Sequence, residues 1–478
     1  MKLKYNIYII GLILMGLLSS CNNFLDEQPY SEIPKDQMWK NAKDAKSGVN
    51  EIYGLYRLMM RENYWYWGEF RSDNFSKGAP SATDQDIVMT NSITSNHRAS
   101  LWTSTYKVIN QANLAIKYIP NINMPSVTIK NDYLGQAYAM RALAYFQAVR
   151  VWGDVPVYTK PIESFDDGEY KGRTLAEDVL RDLVLEDLRA AETLILKSNK
   201  ERKRISLYGV WAIMADVYMW LHEYQLAEQV IDKIGQDPKF IALEPNMDSW
   251  HTMLTVELNN KASDDNYLTD DYSSKELIFV IHYNMAEVGT EGYSYMYRWF
   301  TGSGNRVGVL SDQFMDKLNA REGDLRAPII AMDYQDAWEM NKFINGVIST
   351  TLNKTCEVAY PVYRYSDMVL LKAEALARQS KGEEALDIVR QIRARAGLTE
   401  TRPFDSFKNT DELVDYILDE RQIELVGEGK RWYDLVRTNT WEKALKDVNG
   451  MSDPRKVLYP IHHSHVDENE NVKQNPGY

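Results

Sequence analysis

Apolar residues recur three or four positions apart along most of this chain, the period that lines one face of a helix. Val49, Ile52, Tyr53 and Tyr56 form one such stripe within residues 44–60, and Trp102, Tyr106, Ile109, Ala112 and Ile116 form another within 101–119. A third runs through Leu134, Tyr138, Ala142, Tyr145 and Val149 over 132–151, rich in alanine and stopped by Gly153-Asp154-Val155-Pro156. Thr174 and Glu177 have the spacing of a capping box for a fourth helix, whose apolar face is Leu180, Leu183, Val184, Leu188 and Ala191. Residues 206–235 and 364–397 each read as a helical hairpin, and Ala215 to Ala227 and Ala373 to Ala385 repeat one twelve-residue offset. Small residues at matched points of paired helices mark tetratricopeptide-like repeats, in which one hairpin packs on the next. With the earlier helices taken in pairs, the pattern predicts a mainly α fold, a tetratricopeptide-like α-solenoid of about four helical hairpins.

Two stretches break the helical period. Residues 63–100 read as a long polar loop that opens with Tyr64-Trp65-Tyr66-Trp67-Gly68, and loops of this length inside a domain are uncommon and often functional. Residues of about 240–359 form an irregular, loop-rich insertion with short strands, including a strand candidate at 277–283, a loop signal at Gly302-Ser303-Gly304-Asn305, and acidic turns at Asp264-Asp265 and Asp270-Asp271. Within it Tyr293, Tyr295, Tyr297 and Trp299 alternate with Ser294, Met296, Arg298 and Phe300, which on a strand places four rings on one face. Rings in such numbers also build ordinary cores.

The most charged stretch lies at residues 418–437. Glu420, Glu424 and Glu428 recur every fourth residue on one helical face, Gly427 and Gly429 let the helix stop, and Arg431, Trp432, Asp434, Leu435 and Arg437 follow in a second short amphipathic turn. Charges interleaved with Leu, Ile, Val and Trp predict carboxylates and guanidinium groups paired inside a core, a structural ion network in preference to a catalytic site.

Residues 1–20 have the form of a targeting segment: Lys2 and Lys4, then an apolar run over 9–18 too short for a stable membrane span. Leu18-Ser19-Ser20-Cys21 fits a lipobox, in which Cys21 becomes the lipidated N-terminus, so the chain is expected to be anchored to a membrane through lipid and not embedded in it. Cys356 is then the one remaining cysteine, which leaves no internal disulfide and puts stability on a packed core. Removing residues 1–20 takes away two lysines and no acid, moving the net charge from −13 to −15. That argues against nucleic acid and polyanionic ligands as partners. The expected layout is a signal segment at 1–20, a polar tether at 21–40, and a single unit over 41–478. Hairpins within about 41–239 and 360–400 flank the insertion in that unit, and residues 411–478 close it.

The charged stretch resembles the C-terminal signature of the SusD/RagB family of surface glycan-binding lipoproteins. Tyr363-Arg364-Tyr365-Ser366-Asp367-Met368-Val369-Leu370-Leu371-Lys372-Ala373-Glu374-Ala375 is similar to the family's helix entering its last repeat, and Gln474-Asn475-Pro476-Gly477-Tyr478 is similar to its closing tail. Three matches in the same order are far more specific than one. The chain departs from the family at Ile461-His462-His463-Ser464-His465-Val466, where the usual reading is Ile-Pro followed by a Glu-Ile pair.

The resemblance implies a non-catalytic protein of the outer membrane, facing the cell exterior, that delivers oligosaccharide to a TonB-dependent, SusC-like transporter. It also implies that the insertion packs on the solenoid and shapes the ligand face with the first long loop. Sugars present flat C–H faces that stack on aromatic rings, so the candidate ligand-binding residues are Trp65, Tyr66, Trp67, Tyr293, Tyr295, Tyr297 and Trp299, with Asp73, Asn74 and Arg298 at the rim. A binder of peptides or other nutrients on the same scaffold, and an all-helical glycoside hydrolase, are the rival readings. The hydrolase needs two placed carboxylates that the sequence does not single out. No cofactor is called for. His462, His463 and His465 are expected as a surface cluster, and the acidic run at 264–269 lacks the glycine and closing glutamate of a calcium loop.

Overall fold

In the computed structural model the described residues are 38–78, 83–198, 200–257, 273–283, 294–300, 306–343, 358–445 and 448–478. Helix α1 (Ala42–Gly68) starts at a capping box in which Asn41 accepts from the Lys43 and Asp44 amides while Asp44 accepts from the Asn41 amide. Helices α2 (Thr103–Tyr118) and α3 (Val127–Trp152) pack against it and against each other. From Ala139 to Trp152 every residue of α3 is buried, so polar side chains there need partners. Arg141 has them in Asp187, through two hydrogen bonds of 2.7 Å, and in Asn113. Arg150 has them in Asp216 and Gln147.

The path continues through a wide turn at Val179–Val184 into α4 (Leu185–Leu194), then α5 (Leu207–Trp220) and α6 (Tyr224–Gly235). The expected capping box between Thr174 and Glu177 does not form. Asp154 instead accepts from the Ala176 amide at 2.8 Å, Thr174 pairs through its main chain with Val155, and Glu177 binds Arg181. A residue from the turn after α3 thus caps the next helix.

The insertion is rooted on a buried antiparallel pair, β2 (Leu277–Ile281) with β6 (Tyr360–Arg364), and β6 leads directly into α8 (Tyr365–Arg378). Strand β1 (Phe75–Lys77) pairs with β3 (Gly308–Leu310), tying the first interruption to the second, and β4 (Ala331–Asp333) pairs with β5 (Trp338–Met340). Helix α8 then turns into α9 (Gly382–Arg395) and packs beside α6, so hairpins far apart in sequence stack on each other. Ala215, Ala227, Ala373 and Ala385 are all fully buried where those helices meet, as the shared offset predicts.

Three expectations are corrected. Residues 63–100 are not one irregular loop: α1 runs through Gly68, and β1, a helix at Thr83–Met89 and a single turn at Arg98–Ser100 follow. Residues 296–300 are a helical turn, α7 (Met296–Phe300), and not a strand. The histidines sit on the turn His463–Glu468 and beside it, but His465 stacks on Trp102 with ring centres 5.1 Å apart, so the cluster is partly packed. Among the described residues no group of three potential metal ligands occurs. Cys21, Cys356 and the loop signals at 264–271 and 302–305 lie outside the described residues.

Helix α10 (Thr410–Leu425) and α11 (Arg431–Arg437) carry the charged stretch, and the expected ion network is there. Fully buried Glu424 receives Arg364 at 2.7 Å, Arg326 at 3.0 Å and the Trp250 indole at 2.9 Å, as well as Arg395. Glu428 receives Arg364 and Lys342; Glu420 receives Arg321, Arg326 and Arg393. Arg421 and Arg437 converge on Asp434. Burial opposes ionisation of Glu420, yet Arg326, Arg321 and Arg393 outweigh it and hold the carboxyl at about 2. Arg421 and Arg437 likewise outweigh burial to hold Asp434 at about 2.

Removing one member strands its partners in a dry interior. Glu424→Ala should therefore cost about 3–5 kcal/mol of stability, against less than about 1 kcal/mol for the solvent-exposed Arg181→Ala. Thermal melts of both variants check this; equal melting temperatures would show the network to be solvated. The pH dependence has a fixed sign. Both carboxyls are depressed below their unfolded values, so their contribution is present above about pH 4.5 and is lost as pH falls toward about 2. Melts across that window should show a steep loss that Glu420→Gln makes shallower.

Candidate functional site

Consecutive helical residues point about 100° apart, so a helix end that buries four in a row must be surrounded on all sides. That is the state of Tyr64, Trp65, Tyr66 and Trp67 at the end of α1, each at most 4% exposed. Tyr64 donates to the Pro361 carbonyl at 2.7 Å, Trp65 to the Tyr360 hydroxyl at 3.2 Å, and Trp67 to the Ala99 carbonyl at 2.9 Å. The expectation of Trp65, Tyr66 and Trp67 as an exposed stacking platform is therefore corrected. Their polar neighbours in sequence turn inward with them, leaving no ring face for a ligand.

Asp73 and Asn74 are corrected in the same way. Asp73 is fully buried and takes two hydrogen bonds from Arg431, at 2.7 and 2.9 Å. Asn74 donates to Glu69 and accepts from Gln422, both at 2.9 Å. Glu69 also accepts from the Gly429 amide at 2.8 Å, and burial pushes its carboxyl up to about 7. These residues clasp the end of α1 to the turn between α10 and α11. The fit is tight: a Cβ on Gly68 would lie 2.4 Å from the Gly429 oxygen.

The two interruptions nevertheless meet, as expected, at one aromatic cluster. Trp65 lies 4.5 Å from Phe300 between ring centres, and Tyr66 lies 5.7 Å from Trp299, itself only 3% exposed. Tyr295 stacks on Trp299 at 4.6 Å with the planes 27° apart, and unlike the others it is only half-buried. Its amide donates to the Tyr360 hydroxyl at 2.8 Å, which fixes the backbone behind the ring. Tyr293 lies outside the described residues, and Tyr297 and Arg298 are on α7 with side chains that are not described.

Around this cluster the structure adds groups that sequence reasoning missed. The Arg61 guanidinium sits 5.8 Å from the Tyr295 ring centre. Arg98 donates to the Tyr66 hydroxyl at 2.7 Å and pairs with Glu62 and Asp84, both at 3.0 Å, with the Arg98 and Asp84 side chains almost half exposed. Gln85 also donates to the Tyr66 hydroxyl, at 2.9 Å. Among the described residues the result is a half-buried Tyr295 ring on an aromatic backing with one guanidinium beside it, next to an ion cluster on the Tyr66 hydroxyl. Such a surface can stack on an apolar face and hydrogen-bond to hydroxyls. Glu62 and Tyr66 are one helical turn apart, a cue available in the sequence; Asp84 and Arg98 gave none.

Comparison with known proteins places this architecture. Residues 295–478 match the SusD family, and residues 23–219 match a SusD-like family described as starch-binding and associating with the outer membrane. A SusD-like protein of Formosa agariphila is 34% identical over the full length of both chains. The chain belongs to the SusD family. Among solved SusD-type structures, a laminarin-binding SusD-like protein superposes with a TM-score of 0.75 at 24% identity, covering 92% of this chain and all of that one. B. fragilis NanU gives a TM-score of 0.75 at 24% identity, covering 94% and 99%. Residues 418–437, which resemble the family's C-terminal signature, lie inside the matched region and supply the central carboxylates of the buried network.

The cluster separates two roles. Trp65→Ala should lower stability by about 3–5 kcal/mol, the range for deleting a large buried aromatic. Tyr295→Ala, with its ring only partly buried, should cost less, about 1–2 kcal/mol, scaling the aromatic burial value down for exposure. Chemical denaturation of the two variants checks the contrast, and a loss for Tyr295→Ala as large as that for Trp65→Ala would make Tyr295 core.

Proposed function

We propose that this chain is a non-catalytic surface lipoprotein that binds oligosaccharide and passes it to a TonB-dependent, SusC-like transporter in the outer membrane. The observation that carries the binding reading is Tyr295, a half-buried ring stacked on buried Trp299 with Arg61 beside it, next to a Tyr66 hydroxyl that holds the partly exposed Arg98–Glu62–Asp84 cluster. The family and the laminarin-binding neighbour support glycan as the ligand class. The carboxylates most concentrated in the chain, Glu420, Glu424 and Glu428, are at most 2% exposed and saturated by Arg and Lys. Acids sealed in this way cannot reach a glycosidic bond, which favours binding over hydrolysis.

An open site built on one stacked ring should bind weakly, with Kd in the micromolar to millimolar range, about −4 to −8 kcal/mol. Calorimetric titration of the mature chain with laminarin, starch and mannan oligosaccharides tests this. Tyr295→Ala should weaken binding by about 1–2 kcal/mol, the value of one aromatic contact surface. Glycan cleaved on long incubation would overturn the non-catalytic reading, and unchanged affinity would remove Tyr295 from the site.

Anchoring rests on Cys21. With a lipobox at 18–21, Cys21→Ala should release the protein from the membrane fraction and abolish labelling by a fatty-acid probe. A wild-type chain that takes up no label would refute the anchor. Among the described residues no helix is long and apolar enough to cross a membrane.

A further inference from the structure

A second feature of the surface shares no lining residue with the Tyr295 rim. A groove of about 610 Å³ runs between α2, the chain after α3 and the C-terminal turn at 463–468. Its aromatic members are Trp102, Tyr106, Tyr158, Tyr170 and the imidazole of His465. They are held in place by polar contacts. Tyr106 donates to the Pro156 carbonyl at 2.7 Å, Tyr158 donates to the Glu169 carbonyl at 2.8 Å, and Asn110 donates to and accepts from the Ile162 main chain at 3.0 and 2.7 Å. Tyr106 meets Trp102 at 5.6 Å and Tyr158 at 5.9 Å, edge to face in both cases. Tyr106 and Tyr158, with Trp102 beside them, therefore form a fixed wall that no ligand has to order first, which spares entropy on binding.

The rim is unusual for its exposure. Tyr170 is 67% exposed and Ile162 is 40% exposed, both on this groove. The only lining residues with full charges are Lys107 and Glu468, one of each sign, so the groove is close to neutral on an acidic protein. His465 adds no charge at neutral pH, since burial and its histidine neighbours bring it down to about 4. Gln111 spends its amide N–H on the Gly48 carbonyl, leaving its side-chain oxygen as an acceptor in the lining.

We infer that this groove is a second, independent binding site for neutral oligosaccharide, with Tyr106, Tyr158 and Tyr170 as stacking faces and Lys107, Gln111 and Glu468 meeting hydroxyl groups. The inference rests on the glycan-binding reading above and adds a site to it. Aromatic walls with a few polar groups are the composition of small-ligand sites, and the volume falls in their range. A sugar offers what these walls need: apolar C–H faces for the rings and hydroxyls that both donate and accept. A polyanion finds one cation here beside one carboxylate, and a purely apolar ligand would leave the Lys107 and Glu468 heads without use.

The test is calorimetry on the mature chain with linear neutral oligosaccharides from laminarin, starch and mannan, using wild type, Tyr295→Ala, Tyr170→Ala and Thr103→Arg. Tyr170 and Thr103 are exposed, so both groove variants should melt with wild type. The expected result is two binding sites in wild type. Tyr295→Ala should weaken one of them about tenfold, and Tyr170→Ala should weaken the other by a similar factor, the equivalent of one stacked ring. Thr103→Arg, which fills the groove without adding a ring, should remove that second site. One site only, weakened by Tyr295→Ala and untouched by both groove variants, would overturn the inference and leave the glycan-binding reading standing. Binding that survives Tyr295→Ala but disappears with Thr103→Arg would support the groove and displace the rim. No binding of any oligosaccharide by wild type would overturn both.

Discussion

The structure depends on a single buried cation. Arg364 ends β6, opens α8, and is fully buried among Glu276, Glu424 and Glu428. Glu276 precedes β2, the strand on which the insertion begins, while Glu424 and Glu428 come from the end of α10 and the turn after it. The two roots of the insertion and the C-terminal segment therefore meet on one guanidinium. A planar group with five donors meets three carboxylates at once and grips Glu428 through two nitrogens, a fixed fork that a lysine does not offer. Arg364 alone would be too costly to bury. It is tolerated because the surrounding carboxylates are themselves shared with Arg326, Arg395 and Lys342, which leaves the cluster close to balanced.

From this clasp the character of the aromatic cluster at the end of α1 follows. The turn between α10 and α11 needs positive φ at Gly427 and Gly429, and the second of these lies against Gly68 and the Tyr64 ring. Close backbone approach there, with Asp73–Arg431 and Asn74–Gln422 on either side, draws the end of α1 into the interior. The rings at 64–67 are spent on holding that junction. Among the described rings of this region, the one left partly accessible is Tyr295 on Trp299, and the others are scaffold.

How much of this was legible follows the reach of each signal. The helices and the matched alanines were readable because their cues lie within one or two turns of the chain. So was the fate of Glu420, Glu424 and Glu428, whose spacing of four declares a shared face. Their partners were not, since Arg326, Lys342 and Arg395 come from segments that only the fold brings near. Trp65 and Trp67 were misread because polar neighbours suggested a loop, whereas burial was decided by Tyr360 and Ala99 from elsewhere in the chain. At 294–300 alternation of rings looked like a strand, but a turn buried on several sides leaves no period to detect. The Thr174–Glu177 box failed for a similar reason: Asp154 offered a better-placed acceptor through tertiary structure.

Weak binding would suit the proposed delivery role, in which the ligand has to be given up. A site that held a glycan at nanomolar affinity would need more than about 12 kcal/mol to be emptied, with no conversion of the ligand to supply it. Retention has to come from somewhere else, and geometry can provide it. Two modest surfaces on one rigid chain, engaging one polysaccharide, raise the effective concentration of each for the other without either becoming slow to release. Rigidity matters in that scheme, because a flexible link would dilute the effect. The buried ion network, which locks the insertion and the C-terminal segment to the helical hairpins, is what makes such spacing fixed. The carboxylates of the charged stretch would thus act on the proposed binding only at a distance, by keeping the two proposed surfaces in register.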